Sequence, residues 1–148
     1  MTSPLTIAVG YDGSSESEMA IRWALYMAVA TNAHVTVVHA TGLLEHAHIR
    51  FSPDAAPDAL LAIARECGFD ADHLYWVVND GDACSVLLRA EGPPIGADML
   101  VVGSRGHGKR AGILLGSTSL EVAEHATVPV VVVPPNIRGS VPPDDEVR

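Results

Sequence analysis

The sequence predicts an α/β fold, a single doubly wound five-stranded parallel sheet with helices on both faces. Three observations predict it. Five short apolar segments recur along a chain of 148 residues. Helical patterns separate those segments at every step, and alternation of this kind implies a parallel sheet. The segment His34–Ala40 is also too continuously apolar for a half-exposed strand and suits a parallel one covered on both faces.

Leu5–Val9 is β-branched and short, and it meets the turn Gly10-Tyr-Asp12-Gly13. Ser15-x-x-Glu18 has the form of a capping box and predicts a helix start. Along that helix Ala20, Trp23, Ala24, Met27 and Thr31 are expected on one core-facing side. His34–Ala40 predicts the second strand. The stretch from Thr41 to Pro57 is mixed; with His39, its His46 and His48 keep no recognisable metal-ligand spacing. Pro57–Cys67 predicts a short helix closed by Gly68, and Leu74–Val78 a third strand. Asp82 is placed to cap a helix through Val86, Leu87 and Leu88 that ends by Gly92-Pro93-Pro94. Met99–Val102 is the fourth strand. Thr118-x-x-Glu121 predicts another capping box and a helix to about Ala126, and Val128–Val133 the last strand. Residues 1–135 are therefore expected to form one domain, and residues 136–148 a disordered tail rich in Pro, Asp and Gly.

Composition narrows the function. The net charge of −9 argues against a nucleic-acid surface, which needs clustered positive charge. No apolar run approaches the roughly 20 residues that span a bilayer, and no signal peptide is evident, so a cytoplasmic protein is expected. Cys67 and Cys84 have neither metal nor redox spacing and are expected as buried thiols.

The segment from Gly103 to Ser117 concentrates the chemistry. Three of the nine basic residues, Arg105, Lys109 and Arg110, fall in it, in an otherwise acidic chain. Ligands of open α/β sheets sit beyond the carboxyl ends of the strands, where this loop begins. Glycines let successive N–H groups approach one anion, and the helix after the loop offers unpaired N–H groups of partial positive charge. Phosphate is the anion that such a loop suits. The same residues also fit a plain connector, in which Ser117 or Thr118 only caps the helix and the cations are solvated. The loop is not a Walker A motif, because Lys109 is not followed by Ser or Thr, and the first turn lacks the dinucleotide GxGxxG spacing.

Gly103-x2-Gly106-x9-Gly116-Ser117 resembles the nucleotide-binding signature of the universal stress protein family. Ala8-Val-Gly-Tyr-Asp12-Gly-Ser14 is similar to that family's first strand and acidic turn, and Ala97–Gly106 to its fourth strand and loop. Leu114–Ser119 and Pro129–Pro134 extend the resemblance to roughly residues 5–134. It implies a Rossmann-like, adenine nucleotide alpha hydrolase-like sheet that binds ATP, with Mg2+ as the accompanying ion. By this resemblance Gly10 and Asp12 would lie near adenine and ribose, and the main chain of Ala40 would meet the adenine edge. Gly103, Arg105 and Gly106 would wrap the ribose and first phosphates, with His107 in the same loop. Gly116, Ser117 and Thr118 would hold the outer phosphates. A homodimer through Val128–Val133 is also implied. The Thr41–Gly68 region looks shorter than the family's usual one, and Gly92-Pro-Pro-Ile-Gly96 departs from its usual helical run.

The first reading is a nucleotide-binding regulator, in which ATP occupancy orders the loop and changes a surface read by partners; two further function classes stand beside it. A slow phosphohydrolase would need a base and a metal, and Asp12 is the one carboxylate expected to face the pocket. A ligand-free dimeric interaction module would need only the open edge of the last strand.

Overall fold

The computed structural model describes residues 3–41, 51–104 and 115–135. Within them the chain runs β1 (Thr6–Gly10), α1 (Ser15–Thr31), β2 (His34–Ala40), α2 (Asp58–Glu66), a 3-10 turn (Ala71–His73), β3 (Leu74–Asn79), α3 (Ala83–Arg89), β4 (Met99–Gly103), α4 (Ser117–His125) and β5 (Val130–Val133). The strands form one parallel sheet in the order β3-β2-β1-β4-β5. The predicted fold is therefore observed. The expected tail at 136–148, with His46 and His48, lies outside the described residues.

Alternation along each strand divides the core in two. Val9, Val35, Val37 and Val101 face Ile21, Leu25 and Leu60 of α1 and α2. Ala8, Val38, Leu100 and Val102 face Val86, Leu87 and Val122 of α3 and α4. Burying each of the larger side chains contributes roughly 1.5–3 kcal/mol. Two dry faces explain why the central strands β1, β2 and β4 read as continuous apolar runs.

Several local expectations need correction. Ser14, not Ser15, caps α1: its Oγ accepts from Ser17 N–H at 3.1 Å. The Asp12 carboxylate holds Ser14 in place, so the turn ends one residue earlier than the Ser15-x-x-Glu18 pattern suggests. The buried stripe of α1 is Ala20, Ile21, Ala24, Leu25 and Ala28; Trp23 and Met27 flank it and Thr31 is exposed. Asn32 ends this helix in the left-handed conformation at φ 58°, donating to Ala28 O. Thr118 does not cap α4, whose N-cap is Gly116 without a side-chain bond. Asp82 does cap α3, accepting from Ser85 N–H at 2.9 Å. Cys67 and Cys84 are free thiols and only partly buried, rather than core thiols.

Candidate functional site at the strand crossover

The order β3-β2-β1-β4-β5 builds outward from β1 in one direction, then resumes on its other side with β4. The crevice between the carboxyl ends of β1 and β4 is thus the place where such sheets receive ligands. The helices that leave these two strands, α1 and α4, both begin there.

On the β1 side the turn is closely bonded. Asp12 Oδ1 accepts from Ser14 N–H at 2.9 Å and from Ser14 Oγ–H at 2.5 Å. Asp12 N–H donates to Ser17 Oγ at 3.3 Å, and Gly13 takes the positive φ, 83°, that the turn requires. Tyr11 precedes this turn; burial pushes its phenol up, and Glu18 and Asp12 add to the shift. Gly10 has a packing reason of its own, since a Cβ there would lie 3.2 Å from Leu87 Cδ1 of α3.

Gly103 closes the crevice from the β4 side. A Cβ at this position would stand 2.8 Å from the carbonyl oxygen of Glu16, so α1 reaches the strand only because the side chain is missing. Glu16 itself is 5% exposed, in the first turn of α1, where the helix dipole favours a carboxylate. Ser15 Oγ–H donates to its Oε1 at 3.2 Å.

The chain returns to the same place after the loop. Gly116 N–H donates to Ser104 O at 2.7 Å, so residues 104 and 116 are pinned together across the loop they bound. Ser119 Oγ–H is shared between Ser104 O at 3.2 Å and Gly116 O at 3.0 Å. Among the described residues no side chain caps α4, which leaves its opening N–H groups without the oxygen an N-cap normally supplies. Beside them, Ser104 is 4% exposed and its Oγ has no hydrogen-bond partner among the described residues. Buried hydroxyls are rarely left so. An orphaned hydroxyl next to an uncapped helix start fits an anion carrying several acceptor oxygens.

The structure brings Gly10, Asp12, Ala40, Gly103, Gly116, Ser117 and Thr118 to the carboxyl end of the sheet. Arg105, Gly106 and His107 lie outside the described residues. Sequence reasoning missed Ser104 and Glu16. The period of two in β4 could have placed Ser104 on the same side as Leu100 and Val102, toward α4. For Glu16 only the spacing from Ser14 was available. Among the described residues no group of three or more His, Cys, Asp or Glu side chains could hold a metal ion. No described helix is long and apolar enough to cross a membrane.

Comparison with known proteins gives the same family by two routes. A model of the universal stress protein family matches residues 5–134. A universal stress protein of Mycolicibacterium smegmatis is 32% identical, the match covering 86% of this chain and 47% of that protein. Universal stress protein Rv2623 of Mycobacterium tuberculosis is 32% identical as well, with 85% of this chain and 44% of that protein covered. This chain spans about half the length of these curated relatives. Among solved structures, a universal stress protein in complex with cAMP superposes with a TM-score of 0.67 at 27% identity, covering 91% of this chain and all (100%) of that one. An Arabidopsis thaliana family protein with AMP bound gives 0.63 at 19% identity, over 92% and 95% of the two chains, and supports the fold alone. On the match from residue 5 to residue 134, the chain belongs to the universal stress protein family.

Proposed function

We propose that this chain is a nucleotide-binding regulator that takes ATP, with Mg2+, in the crevice between β1 and β4. Nucleotide occupancy would modulate its interactions in a stress response. The observation that carries the reading is the start of α4, uncapped among the described residues, beside the Ser104 hydroxyl, which has no partner among them. The solved relative with cAMP supports a nucleotide in this fold. In the reading, Gly116, Ser117 and Thr118 offer main-chain and hydroxyl donors to the outer phosphates, and Ser104 adds one from the strand side. Arg105, Gly106 and His107 belong to the loop that would cover the inner phosphates. Asp12 and the main chain of Ala40 face the nucleoside end, with Gly103 and Gly10 giving the backbone room to approach.

Mg2+ would supply neutralisation of phosphate charge. Its ligands in this reading are chiefly phosphate oxygens, since the described residues offer no three-ligand cluster. A homodimer through β5 belongs to the same proposal: β5 is an outer strand of the sheet, and Val130, Val131 and Val132 are half-buried in the single chain. Slow hydrolysis is the weaker reading, because Asp12 Oδ1 already accepts twice from Ser14 in its turn. The test is titration of ATP and of tripolyphosphate into nucleotide-free protein, with Asp12→Ala alongside. ATP should bind saturably, and the variant should lose more affinity for ATP than for tripolyphosphate. Equal losses would remove Asp12 from the nucleoside end.

A further inference from the structure

His39 does something unusual at the end of the β1–β2 ladder. The two strands pair in register up to Gly10 and Val38, and one more bond follows, Tyr11 N–H to Val38 O at 2.9 Å. In a parallel ladder the next rung would run from Ala40 N–H to the Tyr11 carbonyl. That rung is not made among the described residues. Instead His39 Nδ1 lies 2.8 Å from the Tyr11 carbonyl oxygen. A carbonyl can only accept, so Nδ1 carries the proton and donates it.

The ring is held for this task from two sides. It stacks on Trp76 at 6.3 Å between centroids and 12° between planes. Phe51 meets it edge-on at 4.7 Å and 85°. Trp76 is fixed in turn by donating Nε1–H to Ser52 O at 2.8 Å. On the far side of β2, Thr41 N–H donates to Asn79 O at 3.0 Å. Alternation therefore turns the Ala40 N–H toward β1, where the Tyr11 carbonyl accepts from His39 in place of the ladder amide.

We propose that His39 is a positioning residue for the nucleoside: it occupies the Tyr11 carbonyl and so keeps the Ala40 amide available to a ring nitrogen of the base. The same bond fixes the carbonyl one residue before Asp12, and with it the entry to the acidic turn. This rests on the reading that an adenine nucleotide binds at this end of the sheet. An edge-binding amide selects a heteroaromatic acceptor, whereas an inorganic polyphosphate would not use it.

Two variants of the full chain separate the parts of the proposal. His39→Phe keeps a ring against Trp76 and removes the donor. His39→Asn loses the ring and keeps an N–H close to the Nδ1 position. The readouts are hydrogen exchange at the Ala40 amide without nucleotide, followed by NMR, and affinity for ATP and for tripolyphosphate. In His39→Phe the Ala40 amide should join the ladder and exchange more slowly. ATP affinity should fall about tenfold, the usual worth of one such hydrogen bond, with tripolyphosphate unchanged. His39→Asn should recover most of the ATP affinity. Unchanged Ala40 exchange in His39→Phe, or equal losses for both ligands, would overturn the proposal. If the wild-type protein bound no ATP, the nucleotide reading would fall, while slowed Ala40 exchange in His39→Phe would still uphold the ladder substitution.

Discussion

The main chain of Glu16 approaches Gly103 so closely that a Cβ on the glycine would lie 2.8 Å from the Glu16 carbonyl oxygen. This contact seats the start of α1 against the end of β4. A backbone oxygen cannot swing aside as a long side chain would. Gly103→Ala should therefore push strand and helix apart and destabilise the fold by roughly 1–3 kcal/mol. Urea unfolding measures that loss, and an ATP titration should show weakened binding in the same variant. An alanine variant as stable as the wild type would mean that α1 gives way without cost.

Gly116 sits at φ −77° and ψ 166°, extended backbone that any residue adopts. Its conformation does not demand glycine, so in the proposed reading the missing side chain leaves space for phosphate. Gly116→Asp would supply the cap that α4 lacks and place negative charge at the helix start. Stability should rise by a few tenths of a kcal/mol, while ATP binding is abolished by the carboxylate in the phosphate position. Opposite signs in thermal unfolding and titration are the expected signature. Retained ATP binding would place the phosphates elsewhere.

Ser104 leads to a conditional prediction. Its hydroxyl is buried and without a partner among the described residues, so Ser104→Ala should leave the free protein as stable as before, or stabilise it by up to about 1 kcal/mol. The rise in melting temperature that ATP produces should shrink. An ATP shift identical to the wild-type one would exclude this hydroxyl from the phosphate shell.

The N-terminus of α3 gives a pH test. Asp82 accepts from Ser85 N–H at 2.9 Å and from Ser85 Oγ–H at 2.8 Å, and these bonds hold its carboxyl below the usual carboxylate range. The folded value is the depressed one, so the stabilisation is present above the unfolded value of about 3.9 and is lost as pH falls through the folded value. Near neutral pH, Asp82→Ala should melt below the wild type by a constant margin, and that margin should narrow below about pH 4. A margin that stays constant through that range would show that the charge on Asp82 plays no part.

Much of the fold was legible because burial on both sheet faces writes itself as uninterrupted apolar strands, as in His34–Ala40 and Met99–Gly103. Helix starts were less legible. Ser14 and Ser15 are chemically equivalent as caps, and the choice falls to Asp12, whose carboxylate binds Ser14. Thr118 looked like a cap by spacing, yet the bond from Gly116 N–H to Ser104 O sets the start of α4 earlier. At the candidate site the glycines showed in the sequence, but their reasons did not: Gly10 gives way to Leu87 and Gly103 to Glu16. Those partners come from other elements, as does the His39 bond to Tyr11, 28 positions away. Only the folded arrangement brings them together.

The measurement that bears most directly on the central claim is calorimetric titration of nucleotide-free protein with ATP, with and without Mg2+. Binding should be saturable in the micromolar range and lost in Gly116→Asp. No binding at millimolar ATP would contradict this, and would leave β5, the outer strand of the described sheet, as the surface to pursue.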